Sequence, residues 1–140
     1  MDQQLATKTI LIIDDQSEFR RIYGNRLASD DRQVLSAGSG ALGLEIMHKK
    51  HIDIVLLDLL MPDMSGEEVL RAMQADPALK DIPVIIFSIF DQRPKLDELR
   101  SLGVQNELIG AKAFLVKGLA TPNEVLAEIA KLIGPTSKLV

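Results

Sequence analysis

Cysteine is absent from the chain. Disulfides, thiolate-bound zinc, iron–sulfur centres and cysteine nucleophiles are therefore excluded, and hard, oxygen-rich chemistry remains the attractive option. No block of five or more like charges occurs, and 16 basic against 20 acidic residues give a net charge of −4. That balance makes nucleic acid a poor direct partner. Long hydrophobic runs are also missing. The longest apolar stretch, Ile54 to Met61, is interrupted by Asp58 and falls far below the ~20 residues that a membrane span requires. The N-terminal MDQQLATKT carries no basic segment followed by a long apolar one, so no secretory signal is expected. Internal repeats, low-complexity tracts and interdomain linkers are not found either. The expectation is a soluble protein of the cytoplasm, without membrane contact.

What remains is ordinary globular composition. With 140 residues, 46% apolar and 26% charged, the chain suits one domain with one core and no covalent staples. The expected division is a tail over 1–6, a domain over 7–134 and a tail over 135–140.

Five short runs rich in aliphatic and β-branched residues read as strands: Thr9 to Ile13, Val34 to Ala37, Ile52 to Leu57, Val84 to Phe87 and Ala113 to Val116. Three are continuously apolar rather than alternating, the mark of parallel strands covered on both faces. Helical stripes lie between them. Phe19, Ile22, Tyr23, Arg26 and Leu27 form one, and Leu42 to Met47 a shorter one. Ser65 with Glu68 three residues on is a capping box ahead of Val69, Leu70 and Met73, with Asp76 and Pro77 as the stop. Thr121, Pro122 and Glu124 repeat the device before Val125, Leu126, Ile129, Leu132 and Ile133, and Gly134 and Pro135 end that helix. The stretch from Asp91 to Gly110 carries helical spacing only at Leu96, Leu99 and Leu102. Alternating strands and helices imply an α/β fold, a doubly wound five-stranded parallel sheet with right-handed crossovers and helices on both faces.

In such sheets ligands bind beyond the carboxyl ends of the strands. The first run ends in Asp14 and Asp15, the third in Asp58, the fourth in Ser88 and the fifth in Lys117. Two carboxylates brought to 4 Å repel by about 4 kcal/mol at an effective dielectric near 20, so the rim needs cations. Lys117 supplies one charge, and a divalent ion such as Mg²⁺, which favours carboxylate, phosphate and water oxygens, supplies the rest. With both in place a carboxylate can act as nucleophile toward phosphorus, and the Ser88 hydroxyl can bind the product.

These residues carry a family resemblance. Asp14-Asp15-Gln16-Ser17 running into Arg20-Arg21, then Asp58-Leu59-Leu60-Met61-Pro62-Asp63-Met64-Ser65-Gly66, then Ser88, then Phe114-Leu115-Val116-Lys117, resemble the receiver domain of two-component response regulators. The resemblance runs from about Thr7 to Ile133. It implies the flavodoxin-like, chemotaxis-type strand order 2-1-3-4-5. It also implies Asp58 as phosphoacceptor, Asp15 as direct Mg²⁺ ligand, Asp14 as a second acid acting mostly through water, and the Leu60 backbone carbonyl as a further ligand. Ser88 then corresponds to the hydroxyl that bonds the phosphoryl group, Lys117 to its cationic clamp and Phe114 to the switch aromatic. Implied partners are a histidine kinase or histidine phosphotransfer protein upstream and a protein target or output domain downstream, with homodimers among the assemblies allowed. Phosphorylation would bias a surface built from the helix after the fourth strand, the fifth strand and the last helix.

Departures from the pattern carry expectations of their own. Gly118 stands where the family usually has proline, so a trans Lys117–Gly118 bond and a different loop are expected. Phe114 lacks a tyrosine hydroxyl. Ile89 and Phe90 follow Ser88 and, with Leu60, suggest an apolar rim that slows water attack and prolongs the phosphoryl state. From Ser88 to Lys117 is 29 residues, longer than the family usually allows, which predicts a lengthened or broken helix there. His48 and His51 read as a solvated helix end, Arg20 and Arg21 as a wet helix face with kinase docking as the second reading, and Met61 and Met64 as loop packing. Only Gly134 to Val140 follow the last helix, so a stand-alone receiver or an excised one is expected. Two rival functions stand beside the switch. One is a docking or dimerisation module independent of phosphorylation. The other is a Mg²⁺ phosphohydrolase, for which Leu59 and Leu60 supply no second acid or base; the chain is therefore expected not to be a turnover enzyme, beyond slow loss of its own phosphoryl group.

Overall fold

A computed structural model of the protein describes residues 7–88 and 111–134, with Ser88 described through its backbone. The β-branched and aliphatic runs form β1 (Lys8–Ile13), β2 (Arg32–Ala37), β3 (Ile54–Leu57), β4 (Val84–Ser88) and β5 (Ala113–Val116). They make one sheet in the order β2-β1-β3-β4-β5, every pairing parallel. The helices are α1 (Ser17–Leu27), α2 (Gly40–Lys49), α3 (Gly66–Gln74) and α4 (Pro122–Ile133). This is the doubly wound, flavodoxin-like arrangement.

Side chains alternate across the sheet, and both faces are covered. Leu11, Ile13, Val55, Leu57, Val84 and Ile86 pack with Met47 of α2 and Val69, Leu70 and Met73 of α3. Ile10, Ile12, Ile54, Leu56, Ile85 and Phe87 pack on the other side with Leu27 of α1 and Val125 and Ile129 of α4. The continuous apolar runs follow from this double cover. Each fully buried Ile or Leu contributes about 1.5–3 kcal/mol of transfer free energy, so the central strands are the rigid frame of the molecule.

Both capping boxes form as the sequence implies. Ser65 and Glu68 exchange side-chain and backbone bonds at the start of α3, and Thr121 and Glu124 do so at α4 with Pro122 in the first turn. Some details differ. β3 begins at Ile54 rather than Ile52, although Ile52 is buried, and β2 extends back to Arg32. α2 is longer than its apolar stripe because the Ser39 hydroxyl caps it, accepting from the Leu42 N–H. Ile22 and Leu42, on the apolar positions of α1 and α2, are 42% and 43% exposed. The region expected to hold a lengthened helix, Asp91 to Gly110, and the rim residues Ile89 and Phe90 lie outside the described residues.

Candidate functional site

Strand register decides which polar groups meet. Ile13 pairs with Leu57 across β1 and β3, so the next residues, Asp14 and Asp58, leave the sheet side by side. The sheet's bonding continues for one more step: the Asp14 N–H donates to Ala37 O at 3.0 Å and the Asp58 N–H to Ile13 O at 3.0 Å. Val116 pairs with Ser88, so Lys117 emerges next to the end of β4 on the same rim. The fold thus delivers Asp14, Asp15, Asp58 and Lys117 to one place, with Ser88 closing β4 beside them.

The geometry there is tight. Asp14, Asp15 and Asp58 each offer a carboxylate oxygen, all within 4.8 Å of one another, with Asp14 and Asp58 buried and Asp15 exposed. The Lys117 ammonium pairs with Asp14 Oδ2 and lies 3.9 Å from Asp58 Oδ2. The Lys117 side chain is only 5% exposed. Desolvated charges of one sign cannot be stacked without compensation. Three carboxylates and one ammonium leave a formal charge of minus two, which one divalent cation balances. The donors are hard oxygens, which Mg²⁺ prefers over any nitrogen or sulfur set.

Asp14 is already committed on both oxygens, because Oδ1 accepts from the Gln16 N–H at 2.8 Å while Oδ2 holds Lys117. Asp15, exposed, and Asp58 are therefore the better placed to touch an ion directly. Asp58 Oδ1 accepts from the Leu60 N–H at 3.3 Å, so the turn folds back over the carboxylate, and the Leu60 side chain stands 46% exposed at its edge. Gly66 secures that turn from below. Its N–H donates to Leu59 O at 3.0 Å, and a Cβ there would sit 2.5 Å from Asp58 O and 2.8 Å from Leu59 Cα. Only glycine permits the start of α3 to come so close to the Asp58 backbone.

On the lysine side, the described residues include no cis peptide bond, and Gly118 takes φ +85°, a conformation that suits glycine. Phe114 is half buried on β5 and packs against the α2/α3 side of the core. The histidines end in solvent-exposed pairs, His48 with Asp76 at 2.7 Å and His51 with Asp53 at 2.9 Å, and Met61 and Met64 pack the loop.

Three contacts at this site escaped the sequence reading. Arg20 does not lie on a wet face: its Nη1 donates to Asp14 O at 2.7 Å, whereas Arg21 remains exposed beside Glu18. Gln16 Oε1 accepts from Lys117 Nζ at 3.1 Å. The Lys117 ammonium also stands 4.1 Å from the centre of the Phe19 ring, which stacks on Tyr23 and meets Phe87 edge-on. The available signal was rarity: the chain has four Phe and one Tyr, and three of those five gather here.

A doubly wound sheet with this acidic pocket and lysine at its carboxyl edge defines a class before any comparison is made. The chain belongs to the response regulator receiver domain family of two-component signalling, whose model matches residues 10–130. Chemotaxis protein CheY of Pseudomonas aeruginosa is 34% identical over 120 residues, covering 85% of this chain and 95% of the relative. The probable transcriptional regulator ycf27 of Guillardia theta is 30% identical over 139 residues, 99% of this chain but 50% of the relative. The chain thus spans about half the length of that relative, and 46% of its counterpart in Galdieria sulphuraria. Among solved structures, Vibrio cholerae chemotaxis protein CheY4 shares the fold with a TM-score of 0.77 at 24% identity, covering 91% of this chain and 99% of that one. Among the described residues, no helix is long and apolar enough to cross a membrane.

Proposed function

We propose that this receiver domain takes a phosphoryl group from a phosphohistidine onto Asp58 and thereby changes the surface it offers to a partner. The observation that carries the reading is the meeting of Asp14, Asp15, Asp58 and Lys117 in one pocket. A carboxylate oxygen of Asp58 attacks phosphorus in line as the P–N bond breaks, and the imidazole, protonated at its other nitrogen, leaves neutral. Mg²⁺, when bound, neutralises charge on the phosphoryl oxygens. Asp15, Asp58 and the Leu60 carbonyl would hold it, with Asp14 acting through water because Lys117 and Gln16 occupy its oxygens. Lys117 compensates the developing charge from the β5 side, and Ser88 supplies the hydroxyl that hydrogen-bonds the phosphoryl group once Asp58 carries it. The donor is a histidine kinase or a histidine phosphotransfer protein, and the reader a downstream protein or output domain, in the cytoplasm.

Intact mass after incubation with acetyl phosphate and Mg²⁺ tests this. One phosphoryl group is expected on the wild type and none on Asp58→Asn or without metal. Absence of addition to the wild type under any condition overturns the reading in favour of a docking module that works without phosphorylation.

A further inference from the structure

The lysine of the pocket sits in a turn whose own hydrogen bonds, from the Leu119 and Ala120 N–H groups to Val116 O, hold the backbone rather than the lysine side chain. Gly118, immediately after it, has no atom within 4 Å of where a side chain would begin, and Leu119 is 77% exposed. Yet the Lys117 side chain is buried and its ammonium is surrounded. It pairs with Asp14, donates to Gln16 Oε1 at 3.1 Å, and faces the Phe19 ring at 4.1 Å. Two of these three contacts come from the N-cap and first turn of α1, more than ninety residues away in sequence.

Gln16 is also out of place by local rules. It is the N-cap of α1, where Ser, Thr, Asp or Asn best accept a hydrogen bond from the helix, and its side chain makes no cap bond. That acceptor is spent on Lys117 instead. Phe19, one turn on, is wedged between Tyr23 at 4.5 Å and Phe87 at 5.2 Å. Its ring is therefore fixed in orientation. Phe87 precedes Ser88 on β4, and the Tyr23 hydroxyl donates to Ala120 O at 3.3 Å in the loop after Lys117.

Resting on the phosphoryl-transfer reading above, we propose that Gln16 and Phe19 are positioning residues that aim the Lys117 ammonium at the Asp58 phosphoryl site. An ammonium has three N–H groups. Asp14 and Gln16 take two, the ring face restrains the charge from behind, and the third is directed toward Asp58, whose Oδ2 lies 3.9 Å away, the side on which a transferred oxygen arrives. Without Gln16 the ammonium keeps its pair with Asp14 but loses the second acceptor that fixes its rotation. Without the aromatic face it loses a cation–π attraction that is strong when desolvated.

The experiment compares Gln16→Met, which keeps length but removes the acceptor, Phe19→Leu, which removes the ring face, and Phe19→Tyr, which keeps it. The expected result is phosphorylation by acetyl phosphate slowed about tenfold at saturating Mg²⁺ in the first two and nearly unchanged in the third. Mg²⁺ affinity, measured by calorimetry, should barely move. In a Lys117→Ala background Gln16→Met should cost nothing further, since it acts only through the lysine. Lysine-ammonium magnetic resonance, assigned with Lys117→Ala, should show a Lys117 signal protected from exchange in the wild type and lost in Gln16→Met. Unchanged rates with an unchanged ammonium signal, or an equal loss in the Lys117→Ala background, overturn the proposal. A wild type that shows the protected signal but accepts no phosphoryl group upholds the lysine placement and overturns the function it was meant to serve.

Discussion

Asp14 and Asp58 are held by main-chain hydrogen bonds that extend the sheet by one rung, whereas Lys117 depends on side chains that α1 and β1 bring to it. The main chain at Asp14 and Asp58 can move only if the central strands move, and those strands are almost wholly buried. The lysine can move if a few side chains do. Under the proposed phosphoryl transfer, the first property would keep the phosphoacceptor and ion ligands in register, and the second would let the aimed ammonium settle on the phosphoryl group as it arrives. Rigidity of the first kind comes from backbone pairing, whereas adaptability comes from contacts that each involve a rotatable side chain.

The sharpest way to break this contrast is Gly66→Ala. The new methyl meets backbone atoms of Asp58 and Leu59 rather than a flexible side chain, so the turn itself must shift. A loss of about 1–3 kcal/mol is expected in urea denaturation, together with slower phosphorylation, because the displaced element carries Asp58, the proposed phosphoacceptor. Gly118→Ala tests the other side. Open space surrounds Gly118 and only its φ of +85° opposes a side chain, so about 1 kcal/mol of stability is expected to go, with the phosphorylation rate intact because α1 still holds the lysine.

The smallest effect concerns Tyr23. Its phenol is raised above its ordinary value of 10.0, first by burial, with Glu124 adding to this and Arg26 opposing it. A raised folded value means that the stabilisation is complete below the unfolded value and is lost as pH rises through the folded one. Above about pH 10 the urea midpoint of the wild type should therefore fall relative to that of Tyr23→Phe, and a parallel course of the two curves would contradict it.

Much of this architecture is legible in the chain because local chemistry and global fold agree. Asp14, Asp58 and Lys117 each end an apolar run, and such runs become parallel strands whose carboxyl ends share one rim. Ser65 with Glu68 and Thr121 with Glu124 mark helix starts through contacts only three residues long. Gln16 and Phe19 were illegible for the opposite reason. The bond from Lys117 to Gln16 spans 101 residues, and nothing near Gln16 announces it except a side chain that declines to cap its own helix. Arg20 misleads in the same way: a charged residue on a helix usually faces water, and here it turns to the Asp14 carbonyl. Ile22 and Leu42 show that an apolar letter at the right spacing does not ensure burial at the edge of a stripe.

The order of the pocket's parts along the chain also sets when it can exist. All three carboxylates precede Lys117, with about sixty residues between Asp58 and its cationic partner. During synthesis at about 5–20 residues per second, the acids wait roughly 3–12 s for their counter-charge. On the proposed reading, a chain stalled before its fifth strand docks holds the phosphoacceptor Asp58 without its cationic clamp, and should accept a phosphoryl group only poorly until that strand is in place.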